Sequence, residues 1–146
     1  MIREYRLTAL AILVALGLYG CATRPADLDL SLEKASAAGM YRVVLEPPAT
    51  APAVKQIHSW TVKLADSAGS PVRAAAFTVG GGMPQHGHGF PTKPRITREV
   101  APGTYLLEGM KFSMTGWWEI KLGIQGPQGD DTITFNTVVE TPRKAS

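Results

Sequence analysis

The sequence predicts an all-β domain, and three observations carry that prediction. Apolar and polar residues alternate over short stretches. The clearest is Ile57 to Leu64, with His58, Trp60, Val62 and Leu64 on one face and Ser59, Thr61 and Lys63 on the other. Clusters of turn-forming residues interrupt these stretches roughly every 8–12 residues. Beyond an N-terminal leader, no window sustains the 3.6-residue apolar period of a helix.

Taken in order, Leu28, Leu30 and Leu32 alternate with Asp29, Ser31 and Glu33, and Ala35 to Gly39 reads as a turn. Met40 to Glu46 is β-rich and stops at Pro47-Pro48. Residues 47–53 hold three prolines, which exclude both a helix and a central strand because proline lacks the ladder donor. After Ile57–Leu64, Asp66 to Ser70 turns the chain into Val72–Val79, which is expected to end at Gly80-Gly81-Gly82. Met83 to Pro94 reads as a long irregular loop. Arg95–Val100, Thr104–Phe112, Trp117–Ile124 and Asp131–Val139 complete the set, with turns at Pro102-Gly103 and Gly126 to Asp130. Seven to eight short antiparallel strands at this spacing predict an immunoglobulin-like β-sandwich over residues 28–140, with a small closed barrel as the alternative. Residues 141–146 read as a flexible tail.

The composition agrees. The 146 residues suffice for one domain, and the abundance of Gly (15) and Pro (11) beside only 18% charged residues suits strands and turns. A net charge of +3 with no block of like charges excludes the basic stripe of a nucleic-acid binder. The single cysteine, Cys21, excludes an intrachain disulfide and thiolate-rich zinc sites.

Residues 1–20 read as a lipoprotein signal peptide. Arg3 and Arg6 form a basic start, and Leu7 to Leu18 is an apolar run of twelve residues, too short for a spanning helix. Leu18-Tyr19-Gly20-Cys21 resembles the bacterial lipobox. That resemblance implies an acylated Cys21 as the first mature residue, a tether over residues 21–27, and a membrane contact through the lipid. An ordinary secretory signal cut near Ala22, with Cys21 lost, is the alternative. Either reading places the domain outside the cytoplasm. Ala22 after the cysteine, where an Asp would signal retention, points to the outer membrane and a periplasm-facing domain.

The residues suited to chemistry are clustered. His86 and His88 sit two apart in Met83-Pro84-Gln85-His86-Gly87-His88-Gly89, so in an extended segment both imidazoles face one point. Met83 is near in sequence, Met114 lies where a strand gives way to Gly116, and His58 opens the best strand. Imidazole with thioether suits copper, as Cu(I) or Cu(II), whereas Ca²⁺ and Mg²⁺ require oxygen clusters that this sequence does not concentrate. Met110 reads as core, and His58 reads equally as a hydrogen-bonded core histidine or a ligand. Trp117 and Trp118 are adjacent, so one ring is expected to point inward and the other outward.

Those residues also carry a resemblance. His58-Ser59-Trp60, the run Gly81 to Gly89, Pro102-Gly103-Thr104-Tyr105, and Gly109 to Glu119 (GMKFSMTGWWE) resemble the YtkA-like/FixH-like family over roughly residues 40–140. The resemblance implies an exported or membrane-anchored immunoglobulin-like sandwich with a role in copper handling. FixH proteins are associated with the assembly of copper-containing oxidases, but they are tethered by a transmembrane helix where this chain shows a lipobox. Periplasmic copper binding, as chaperone or scavenger with a copper-accepting protein as partner, is the part that transfers. By residue it falls on His58, Met83, His86, His88 and Met114.

Two other functions are weighed against copper binding. A metal-independent interaction or structural module would use the His-Gly-His loop and the outward tryptophan for recognition. An enzyme is not expected: lipidation would block Cys21, no Gly-x-Ser-x-Gly run occurs, and no acid lies beside His86 or His88 to pair with them.

Overall fold

The computed structural model describes residues 23–141. The expected signal peptide, Cys21 and nearly all of the expected tail lie outside the described residues. Among the described residues no helix is long and apolar enough to cross a membrane. The described chain forms nine strands: β1 (Glu33–Ala35), β2 (Tyr41–Glu46), β3 (Ile57–Asp66), β4 (Ala76–Met83), β5 (His88–Gly89), β6 (Arg95–Ala101), β7 (Thr104–Lys111), β8 (Gly116–Gly126) and β9 (Gly129–Val139). They make two antiparallel sheets, ordered β1-β2-β3-β7-β6 and β5-β4-β8-β9. The architecture is the expected immunoglobulin-like sandwich, with two separate sheets rather than a closed barrel. The count exceeds the expected seven to eight because β1 and β5 are only three and two residues long.

The core follows the alternation. Trp60, Val62 and Leu64 of β3 meet Trp118, Ile120, Leu122 and Ile124 of β8 in one buried cluster. Each such side chain contributes about 1.5–3 kcal/mol on removal from water. The two-residue turn Pro127-Gln128 sets β9 opposite β8 in register from Gly126↔Gly129 to Gly116↔Val139.

Four expectations need correction. β1 forms only at Glu33–Ala35, and Leu30 is exposed. The neighbouring β2 ends at Glu46 before Pro47, which has no N–H to extend the ladder. The triple glycine does not end a strand: β4 continues through it to Met83. A Cβ at Gly81 would collide with the Glu119 carbonyl, and one at Gly82 with the His88 carbonyl. Glycine here permits close backbone approach. The supposed irregular loop after Met83 begins as a hairpin, with Met83 opposite His88 and Gly82 opposite Gly89. Finally, both adjacent tryptophans are buried. Trp118 is fully within the core, while Trp117 lies outside the core cluster but is only 8% exposed and donates to Asn136 Oδ1 at 2.9 Å.

Candidate metal site at one end of the sandwich

The antiparallel order places four strand ends together. β3 starts, β4 ends, β7 ends and β8 starts at the same end of the sandwich, as the pairs His58↔Met110, Gly82↔Glu119 and Met83↔His88 require. All five expected ligands therefore lie at one end, from three separate stretches of chain. They divide into a buried floor and an open lip.

The floor is aromatic. His58 packs on Phe112 with ring centroids 5.0 Å apart, Phe112 on Trp118 at 5.1 Å, and Phe90 stacks on Trp118 at 5.6 Å and 12°. A bulge re-aims His58: β3 opposes β7 as His58↔Met110 and then Trp60↔Leu107, with two β7 residues facing Ser59. One of these two is Gly109, at φ 80°, a conformation that glycine adopts without steric cost. Trp60 Nε1 donates to His58 Nδ1 at 2.8 Å. An indole N–H can only donate, so Nδ1 is the acceptor and the neutral ring carries its proton on Nε2. Nε2 is itself buried without a hydrogen-bond partner. Burial lowers the His58 pKa and keeps the ring neutral. A metal-binding histidine has the opposite pattern, donating through one nitrogen and leaving the other bare. His58, read as either ligand or core histidine, is thus placed as a hydrogen-bonded histidine of the floor.

Met83 also belongs to the floor. It is 1% exposed and part of the core cluster, and a Cβ on Gly116 would come within 2.9 Å of its terminal methyl. Gly116, at φ 125°, lets the β7–β8 connection pass over the thioether.

The lip is the turn Pro84–Gly87 with its flanks. The Met83 carbonyl accepts from His86 N at 3.1 Å and Gly87 N at 3.0 Å, closing the turn. His86 and His88 are exposed, with ring centroids 5.9 Å apart and planes inclined by 22°. The turn, rather than strand alternation, brings the two rings together. His88 Nδ1 lies 3.1 Å from the Gly89 carbonyl oxygen. A carbonyl can only accept, so Nδ1 carries the proton and, in the neutral ring, Nε2 keeps its lone pair. Met114 is 40% exposed, and its carbonyl accepts from Trp118 Nε1 at 3.1 Å. His88 packs edge-on against the same indole, with centroids 5.8 Å apart. Trp118 is therefore the common neighbour of the hairpin and the Met114 loop.

Among the described residues, no group of three or more His, Cys, Asp or Glu side chains could hold a metal ion. Sequence reasoning missed the ring chain of Phe90, Phe112 and Trp118 that supports the lip. Alternation put one of Trp117 and Trp118 on an inward face without deciding which, and Phe90 sat in a stretch with no periodic signal. Only Gly109, a glycine inside a strand pattern, hinted at the bulge.

Fold and site together define a small β-sandwich domain that bears a histidine hairpin and one exposed thioether over a floor of aromatic rings and a buried thioether. A family model described as YtkA-like matches residues 35–123, and the chain belongs to that family. The matched span includes all five candidate residues and stops within β8. No curated protein and no solved structure matches the chain.

Proposed function

We propose that this protein is exported, held at the membrane by acyl chains on Cys21, and binds copper at the hairpin end of its sandwich as a chaperone or scavenger. The observation that carries the reading is the His88 Nδ1 contact with the Gly89 carbonyl, which leaves Nε2 ready to ligate beside the His86 ring. Donor chemistry supports copper over zinc. Nitrogen and carboxylate donors alone do not make a set of three here, and thioether sulfur with imidazole favours Cu(I). His86 and His88 would supply nitrogen and Met114 the exposed sulfur. Met83, sealed in the core, and His58 would hold the floor beneath them. The released ion would pass to a copper-accepting protein. No catalytic role is proposed.

The test is Cu(I) binding by the full acylated chain in detergent, in competition with a chromophoric chelator. The expected result is stoichiometric binding, weakened at least tenfold (about 1.4 kcal/mol) in the His86→Ala, His88→Ala double variant. Unchanged affinity in that variant would remove the site assignment.

A further inference from the structure

We infer that the hairpin end of the sandwich faces the membrane and rests on an anionic lipid headgroup layer. This inference depends on the lipid-anchored reading of Cys21. The register fixes where the chain enters. β2 runs from Tyr41, opposite Asp66, to Glu46, opposite Thr61, so it ends near the start of β3. β1 runs against it, from Glu33 opposite Val44 to Ala35 opposite Arg42. The residues before β1 therefore lie at the hairpin end. The Leu32 carbonyl accepts from Leu45 N, and the Asp29 carbonyl accepts from Asn136 Nδ2, late in β9. β9 finishes at the same end, with Val139 opposite Gly116. The eight residue-to-residue steps from Cys21 to Asp29 span at most roughly 29 Å when fully extended, which keeps this end close to the bilayer.

The surface there suits a membrane. Ile57 is 68% exposed and Met114 40%, which gives this end two exposed apolar side chains. Around them Lys55 and Lys93 are exposed, and Lys111 sits opposite Ile57 in the ladder. None of these three lysines has an ion-pair partner among the described residues, whereas the nearby Glu46 is paired with Lys63. Glu140 and Asp27 are exposed acids at this end, as is Asp29, which is paired with Lys34. The opposite end carries Asp66 at the end of β3 and the exposed Asp130 at the start of β9, so the unpaired lysines gather at the hairpin end. Anionic headgroups attract the lysine-bearing end, and its apolar side chains settle at the interface.

The experiment uses the full acylated chain in vesicles of phosphatidylcholine and phosphatidylglycerol that carry a nitroxide on a fraction of the headgroups. A fluorophore is attached at Ile57→Cys or, as the far-end reference, at Ser67→Cys. Both positions are exposed, and acylation protects Cys21. The expected result is several-fold stronger quenching at position 57 than at 67. Equal or reversed quenching on an acylated, membrane-bound chain overturns this inference and leaves the anchor intact. A chain that mass spectrometry shows to lack acyl groups overturns the anchored reading and this inference with it.

Discussion

His58 and His88 stand at the same end of the sandwich and do different things, because their Nδ1 atoms meet opposite partners. Trp60 gives His58 a donor, while Gly89 gives His88 an acceptor. The first contact puts the proton on a buried Nε2, and the second leaves Nε2 bare on an exposed ring. The same contrast holds for the thioethers, with Met83 sealed in the core and Met114 at the surface. The comparison teaches that residue type alone does not make a donor available, because the neighbour of the second ring nitrogen decides whether a histidine has a lone pair free. It also separates stability from binding: the floor should carry the first and the lip the second.

Variants can break or sharpen that separation. The largest effect is expected from Phe112→Ala, which empties the ring joining His58, Trp60, Phe90 and Trp118. It should cost about 3–5 kcal/mol in denaturant unfolding. His58→Ala comes next. It leaves the Trp60 N–H without its acceptor and should cost about 1–3 kcal/mol, with copper affinity changed less than threefold. A tenfold loss of copper affinity in that variant would return His58 to the ligand set.

Acid should act in two stages. The folded His58 pKa lies below its ordinary 6.5, so its contribution is complete above that value and drains away as pH falls toward the folded value. Asp131 loses its contribution later. Burial pushes its carboxyl up, but hydrogen bonds from Ser36 Oγ and the Ala38, Thr132 and Met40 amides outweigh this and hold it below 3.8. Thermal melts between pH 7 and 3 should therefore show two declines, and His58→Gln should abolish only the upper one. The smallest stability effect is expected for His88→Ala, within about 0.5 kcal/mol, since the side chain is exposed. A large destabilisation there would show that the lip is structural.

Much of this was legible in the chain itself. Alternation in Ile57–Leu64 and Trp117–Ile124, and turn residues at Asp66–Ser70 and Pro127-Gln128, specify strands and their facing because side-chain direction repeats every two residues. The Met-Pro-x-His-x-His-Gly run marked the hairpin as the place to look. The strand through Gly80–Gly82 was not legible, because glycine there answers to the carbonyls of Glu119 and His88 on other strands. Nor was the burial of Trp117, which depends on Asn136 across the ladder.

The sequence by itself determined the class of the fold and the inventory of nitrogen and sulfur donors, because local pattern and composition act over a few residues. Only the tertiary structure decided which donors are open and which are sealed. That decision depends on a bulge opposite Ser59, a tryptophan N–H and a carbonyl, each set by how distant strands come into register.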